Sequence, residues 1–586
     1  MNKVFTSVVM KRAGLSLLVI LLLLGYITVD AQLLRDGLYN RPIQGVRIAW
    51  DYSSLQRLAP RNERALAYAG YPRAKRFKDG RVVAVYEAGG DGEIIQRLDN
   101  GKSWSDPVKI FKTFYSKPPD TEGARVHISN TEIIELDNGL WIAACNYRPQ
   151  KNGVTPFAIA ITKSKDRGQT WTEPEVIFEA GKSFNDGCWE PAFLQLPGGV
   201  LHLYFANEAP YTVSEEQEIS VLRSNDRGNT WLPPQTVSFR KHKRDGMPVP
   251  LLLDKEILVA IEDNKTDPFK PYIVRTSLTT PWSNKVDGNS SFREYALEVP
   301  LPDSVYAGAP YLAKLPSGEV ILSYQTTRGR TSDWEKSTME VAIGDKQGRG
   351  FGKITQPFPV PLDKEAKWNS IAIWDEKTVV ATAATNFDGG PIGAWMILGK
   401  VIPELVSRNQ SVIMDGVLGI DEWVDDMPVF IGHKGNTQLR AAVQHDKHCI
   451  FFGVKVSVAD SARVLSEAGY VVNIYLDAFN QSHAQPGKAV YKIVCSNTGV
   501  IQLLEGNNGR WIEKRETSLK AEVVKNDTGY SLELAVPFNA ILKKDRKPAR
   551  MNIELVNAKN EVVEYTECIA NAEVGKPFTW CEVTFE

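Results

Sequence analysis

Histidine and cysteine are scarce in this chain, and neither is arranged for metal binding. Of 586 residues, seven are His and six are Cys. The cysteines (Cys145, Cys188, Cys449, Cys495, Cys568 and Cys581) are scattered without a CxxC pair, which excludes the common zinc spacings. No loop offers a convincing set of calcium-binding oxygens, no cofactor motif occurs, and neither a metal nor a cofactor is expected. Charge of one sign is also lacking. A net charge of −1 gives no electrostatic case for nucleic acid or an anionic membrane surface as partner. Only one apolar run is long, Leu15 to Leu24, and it is too short for a comfortable membrane span. Lys3, Lys11 and Arg12 precede it and "VDA" follows before Gln32, so residues 1–31 read as a signal peptide cleaved after Ala31. An uncleaved anchor is the alternative. No Cys follows the run, which argues against a lipid anchor. The expected destination is the periplasm, the cell surface or the medium. Disulfides are allowed there, with Cys568 and Cys581 closing a hairpin, or isolated buried thiols as the equal alternative.

What the chain has in quantity is aromatic residues, glycine and proline. Aromatics make up 10%, with 14 Trp, 20 Tyr, 44 Gly and 33 Pro, a mixture that favours short strands and tight turns. The length implies two or more domains. A unit of two apolar strands around a turn recurs six times. It begins "YPRAKRFKDGRVVAVYE" at Tyr71, "RVHISNTEIIELDNGLWIAACN" at Arg125 and "WEPAFLQLPGGVLHLYFAN" at Trp189. It continues "MPVPLLLDKEILVAIED" at Met247, "APYLAKLPSGEVILSYQ" at Ala309 and "WNSIAIWDEKTVVATAATN" at Trp368. Starts lie 54 to 64 residues apart, room for four strands, which is the size of a propeller blade. The expected fold is all-β: a six-bladed β-propeller over 40–402, then a β-sandwich over 411–586, where alternating segments such as "HCIFFGVKVSVAD" and "YVVNIYLDAFN" continue.

A second repeat lies inside the first. "DNGKSW" (Asp99–Trp104), "SKDRGQTW" (Ser164–Trp171) and "SNDRGNTW" (Ser224–Trp231) share a turn in which Asp caps backbone N–H groups, Gly takes a positive φ and Trp packs on the blade. These copies resemble the Asp-box of the sialidase-like superfamily. That box is structural and remote from the active face, so Asp99, Asp166 and Asp226 receive no chemistry.

Circular closure brings equivalent points of every repeat to one ring. The residues opening each inner strand and those ending the next strand share one end of the channel, because antiparallel strands reverse once. This selects Tyr71, Arg73, Arg125, His127, Trp189, Glu190, Arg244, Met247 and Trp368, together with Glu87, Asn146, Asn207, Glu208, Glu262, Tyr324 and Gln325. His127 has no second His nearby and is taken as a lining or structural residue. Glu190 adjoins an indole and Glu262 ends the aliphatic run "EILVAIED"; carboxyls in partly dry settings carry raised pKa values. Two of them facing one cavity suit glycoside hydrolysis, one protonating the leaving oxygen and the other attacking carbon or activating water. Glu87 and Glu208 occupy similar positions, and a strand-end Glu with a nearby Arg can equally be a simple ion pair.

The segments "GCWEP…LPGGVLHLYFANE", "QEISVLRSNDRGNTW", "RDGMPVPLLL" and "LVAIED" resemble the exo-arabinanase family, glycoside hydrolase family 93. The resemblance covers most of 60–400. It implies a sialidase-like six-bladed propeller, a retaining exo-acting reaction, and catalytic glutamates in the W-E-P motif and at the end of the strand after G-M-P, here Glu190 and Glu262. Glu190, for its indole neighbour, is favoured as acid/base and Glu262 as nucleophile, with the reverse assignment as the alternative. Tyr71, Arg73, Arg125, His127, Trp189, Arg244, Met247, Tyr324 and Trp368 are assigned to the carbohydrate substrate. A true sialidase is the enzymatic alternative, but the first repeat reads "YPRA" and the fifth "AGAPY", leaving the arginine triad incomplete. A neutral or uronic sugar fits better. A non-catalytic glycan-binding propeller is the other alternative. Residues 411–586 resemble a family 9 carbohydrate-binding module through "DGVLGIDEW", "FFGVKVSVAD", "IYLDAFN" and "YSLELAVPF", with Trp423, Tyr475 and Trp511 as stacking candidates or as core residues.

Overall fold

The computed structural model describes residues 45–58, 68–98, 103–116, 123–423, 427–431, 437–458, 470–478, 484–516, 518–541, 549–557 and 572–586. The expected signal peptide, Asp99 and Cys568 lie outside the described residues. Among those described, no helix is long and apolar enough to cross a membrane. The chain divides into two compact units, residues 46–402 and residues 403–586.

The first unit is a six-bladed propeller. Blades 1 to 5 are separate sheets with inner strands Ala69–Arg76, Arg125–Glu135, Cys188–Gln195, Asp245–Leu252 and Ala307–Lys314. Blade 6 has inner strand Ala366–Asp375, then Thr378–Thr385, then the first half of Gly393–Asn409. Its outermost strand is Gly45–Arg57 from the start of the propeller. The two ends are therefore zipped together, with the Leu58 N–H donating to the Ala394 carbonyl at 2.8 Å. The inner strands touch in a closed cycle, each against the next and blade 6 against blade 1. Closure turns the unpaired edge of each inner strand towards the axis, where the neighbouring blades protect it, which blunts the usual hazard of open sheets.

Between blades the core is aromatic and aliphatic. Trp141 is fully buried with Phe77 edge-on at 4.5 Å, and Trp282 donates its indole N–H to the Tyr204 hydroxyl at 2.9 Å. The two described Asp-boxes join the third and fourth strands of blades 2 and 3. Asp226 accepts from Ser224 Oγ at 2.8 Å and from the Thr230 N–H at 2.8 Å, and Asp166 accepts from Ser164 Oγ and Thr170 N–H in the same way. Positive φ falls on Arg167 and Arg227 as well as on the following Gly168 and Gly228, so each turn needs two left-handed residues. Ser164 pairs with Trp141, at the start of the second strand, which places the boxes at the blade end opposite the openings of the inner strands.

The second unit is built of two layers of strands, antiparallel except where the second half of Gly393–Asn409 runs parallel to Gln438–His445 of one layer and Cys581–Phe585 of the other. Strands Val429–Ile431, Gln438–His445, Cys449–Ser457, Gly529–Pro537 and Lys520–Asn526 form one layer. Arg510–Glu513, Ile501–Asn507, Val490–Ser496, Tyr470–Asp477, Ala549–Asn557 and Cys581–Phe585 form the other. Both contribute to one core, Leu439, Phe452 and Leu534 from the first and Ile474, Ile493 and Ile553 from the second. Two of the three stacking candidates are core residues: Trp423 is buried with its indole N–H on Glu533 at 2.8 Å, and Tyr475 is buried with its hydroxyl on Glu554 at 2.6 Å. Their polar ends found buried carboxylates, which makes an interior ring affordable. Trp511 is half-buried beside Tyr475. The five described cysteines are free thiols, four of them buried.

Candidate active site

One residue in each inner strand stands in the left-handed region: Tyr71, Asn130, Glu190, Met247, Ala309 and Trp368, with φ between 49° and 54°. At each the pairing register slips, between Gly70 and Arg73, Ser129 and Glu132, Trp189 and Ala192, Gly246 and Val249, Gly308 and Tyr311, and Lys367 and Ser370. Six equivalent β-bulges therefore bend the inner strands at one level. Positive φ strains a residue with a Cβ, and such strain persists only where surrounding structure enforces it. The bulge re-aims the side chain to the axis: Tyr71, Met247, Ala309 and Trp368, from four blades, pack as one cluster. Residues from four blades can meet only on the axis.

A bulge also frees a backbone N–H that needs an acceptor. Asn130 donates to Glu87 at 2.6 Å, Ala309 to Glu262 at 2.8 Å and Trp368 to Gln325 at 2.7 Å. In each case the acceptor sits on the second strand of the preceding blade, opposite the residue before its bulge. Blade 3 has Ala206 at that point and so lacks an acceptor. There the bulge residue itself, Glu190, accepts the Met247 N–H at 3.3 Å. Glu190 and Glu262 are thus the acids of adjacent blades, one from a bulge and one from a second strand.

Glycine makes the approach feasible. A Cβ on Gly308 would lie 2.4 Å from Glu262 Oε2 and 2.5 Å from the Tyr306 hydroxyl, and one on Gly246 would lie 3.1 Å from Glu262 Oε1. Behind Glu262 the next residue, Asp263, turns into the blade and holds Arg240 and Arg293 at 2.7 Å, while Arg293 also grips Asp245 at 2.6 Å. This buried network pins the strand ends that carry Glu262 and Met247.

The electrostatics follow from burial. Glu190 is pushed up to about 8, chiefly by desolvation, then by the charge of Glu262; the Met247 N–H pulls it partly back. Glu262 is pushed up to about 7 by desolvation, against the Ala309 N–H and the Arg244 charge. Glu87 also rises to about 7 through burial, with the Asn130 N–H opposing. Two interacting carboxyls that can share one proton near neutrality suit acid–base work on a bound molecule.

Beneath the ring the axis is filled. Arg73 is buried with its guanidinium 3.7 Å from the Tyr71 ring, and it donates to the Trp368 and Asn369 carbonyls at 3.1 Å each. Glu132 accepts the Tyr311 hydroxyl at 3.1 Å and pairs with Lys75 at 3.3 Å. These side chains form a floor.

Several expected lining residues are placed otherwise. Arg73 closes blade 6 onto blade 1 and turns away from the mouth. Arg125 and His127 lie five and three residues before the blade 2 bulge, and Asn130 takes the ring position; the inner strand there begins early, and the bulge, not the strand start, sets equivalence. Tyr324 points into blade 5, its hydroxyl on Glu340 at 2.8 Å, because neighbours in a strand face opposite sides and Gln325 has the axial one. Trp189 is a buried wall between Phe157 and Phe184, with its N–H on Glu208 at 2.9 Å. Arg244 is half-buried and ion-paired with Glu208, which also accepts from Gly187 N–H and Gln217. Tyr71, Glu190, Met247, Glu262 and Trp368 do come together.

Asn130, Ala309, Arg148, Tyr68 and Tyr306 lie outside the expected set. Arg148 stands 5.2 Å over the Phe184 ring and 5.7 Å over that of Trp189. Tyr68 and Tyr306 had a visible signal, the shared "YAG" of "YAGYP" and "YAGAP".

Fold, bulge ring and Asp-box turns together define a six-bladed β-propeller. A family model described as a BNR repeat-like domain matches residues 150–252. The chain is similar to an alpha-L-arabinanase of Penicillium chrysogenum solved with arabinobiose, at 18% identity and a TM-score of 0.43 over 61% of this chain and 97% of that one. It is similar to the alpha-L-arabinofuranosidase of glycoside hydrolase family 93 from Fusarium graminearum, at 16% identity and a TM-score of 0.42 over 61% and 98%. It is also similar to the NanB sialidase of Streptococcus pneumoniae, at 13% identity and a TM-score of 0.43 over 59% and 70%. No curated protein sequence matches the chain significantly.

Proposed function

We propose that this protein is an exported glycoside hydrolase that removes a terminal sugar or short unit from a polysaccharide or glycan. The observation that carries the reading is the pair Glu190 and Glu262: carboxyls from adjacent blades, one on the Met247 N–H and the other on the Ala309 N–H of the bulge ring, both raised towards neutrality by burial. Glu190, with the higher value, holds a proton and gives it to the leaving glycosidic oxygen. Glu262, ionised first, attacks the anomeric carbon as the glycosidic bond breaks. Water then cleaves the glycosyl–enzyme ester, losing its proton to Glu190, and the configuration is retained. The substrate is arabinan-like or another neutral or uronic glycan, since the arginine triad of a sialidase is incomplete.

Exo action is the mode that the family 93 resemblance implies. A sialidase reading is disfavoured because Arg73 already spends its guanidinium on backbone carbonyls and a ring. The test is release of reducing sugar from arabinan, pectic and sialylated glycans by the intact protein, Glu190→Gln and Glu262→Gln. Turnover lost in both variants supports the assignment. Wild-type turnover surviving both substitutions, or no turnover at all, overturns it, the latter in favour of a glycan-binding propeller.

A further inference from the structure

We propose that the exposed face of Trp334 is a stacking platform for the second sugar of a glycan whose terminal sugar lies between Glu190 and Glu262. The inference rests on the glycosidase reading and adds a subsite to it. Trp334 is 43% exposed, unusual for an indole that is held so firmly. It opens the short turn Trp334–Lys336, where Asp333 accepts the Glu335 N–H at 3.0 Å and the Ser337 hydroxyl donates to the Trp334 carbonyl at 2.6 Å. Arg330 ties the same loop to the Val360 carbonyl at 3.1 Å and the Lys364 carbonyl at 2.8 Å.

One face of the indole is already taken. The Lys367 ammonium lies 4.7 Å from the ring centre, is only 3% exposed, and is itself paired with Glu335 and Glu365. A cation on one face of an aromatic ring is favourable, and here it also fixes the ring's orientation. The exposure therefore belongs to the rest of the ring.

That surface continues the wall of the acid pair. Tyr306 lies edge-on at 6.1 Å and Trp368, a member of the axial ring, at 6.3 Å. The Tyr306 hydroxyl and the Glu262 carboxylate converge on Gly308. So Trp334 continues, by way of Tyr306, the wall in which Glu262 stands. A sugar ring presents an apolar C–H face that an indole can cover, with its hydroxyls left in water. The chain around Trp334 includes Arg330, Asp333, Glu335 and Lys336, so the apolar area is a single ring and too small to dock a protein.

The test uses the full chain carrying Glu262→Gln, so that binding is seen without cleavage. Arabinan, rhamnogalacturonan and sialylated oligosaccharides of one to four sugars are titrated by calorimetry against this protein, and against it with Trp334→Ala or Trp334→Phe. For the set that wild type cleaves, affinity should rise about tenfold from one sugar to two. Trp334→Ala should abolish that rise while leaving the monosaccharide affinity within about twofold, and Trp334→Phe should retain part of it. A rise that persists in Trp334→Ala, no rise with length, or an equal loss for the single sugar overturns the platform and leaves the glycosidase reading standing. If wild type binds and cleaves none of the sets, the glycosidase reading fails and the platform with it.

Discussion

The Glu262 carboxylate accepts the backbone N–H of Ala309 at 2.8 Å, an amide that the blade 5 bulge leaves without a strand partner. One side chain thus closes the ring and stands ready for chemistry. The neighbouring blade shows that the structural task needs no charge, because Gln325 accepts the Trp368 N–H at 2.7 Å in the same way.

At pH 5, where the buried Glu262 carboxyl still keeps its proton, Glu262→Gln should therefore fold normally, with stability within about 1 kcal/mol of wild type, while losing turnover at every pH. Glu262→Ala should lose turnover and also about 1–3 kcal/mol, the cost of a buried N–H without a partner. Chemical denaturation of both variants checks this; equal destabilisation would mean that the amide finds another acceptor.

The pH profile should be narrow. Turnover needs Glu262 ionised and Glu190 protonated, so kcat/KM should rise through about 7 and fall through about 8, limbs that belong to the interacting pair. The Arg244 charge lowers both groups. Arg244→Gln should move both limbs to higher pH, whatever it does to the maximum rate.

The same shifts predict a stability trend. A carboxyl raised in the folded state keeps its proton at pH values where the unfolded chain, with a value near 4.5, has lost it. Folding then takes up protons, and stability falls as pH rises from about 4.5 to about 8. Replacing Glu190 and Glu262 by Gln removes this contribution. The melting temperature of the double variant, relative to wild type, should climb between pH 5 and pH 8; a constant difference would refute the shifts.

Glu208 is 2% exposed and holds Trp189, the Gly187 N–H, Gln217 and Arg244 at once. Glu208→Ala strands a guanidinium and three N–H donors and should cost about 3 kcal/mol. Activity should fall as well, because Trp189 and Arg244 flank Glu190. Unfolding curves and turnover measured together would show both losses.

Asp226 offers the contrast. Hydrogen bonds from Thr230, Ser224 and Asn229 hold its carboxyl well below the usual range, at the blade end remote from the ring. Asp226→Ala should lower the melting temperature above pH 4 and leave kcat/KM unchanged. A large loss of turnover in a folded Asp226→Ala protein would contradict the structural role.

Much of this molecule was legible in the chain. Six strand pairs at blade spacing, and Asp, Gly and Trp at fixed offsets in the turns, are local patterns imposed by strand alternation and turn geometry, and both can be seen within twenty residues. The motifs around Glu190 and Glu262 are equally local. Only the tertiary structure decided which residue of each blade reaches the axis. That choice is made by a bulge, and a bulge depends on the register between two strands, which no single segment carries. A shift of one residue sends Tyr324 into the blade and Gln325 to the ring, and a shift of five puts Asn130 where Arg125 was expected. Arg73 reads as a ligand for substrate until the ring closes and carbonyls from the last blade meet it. Residue types and their periodicity are written along the chain, whereas direction towards or away from the axis belongs to closure, which brings together residues as distant in the chain as Ser54 and Leu398.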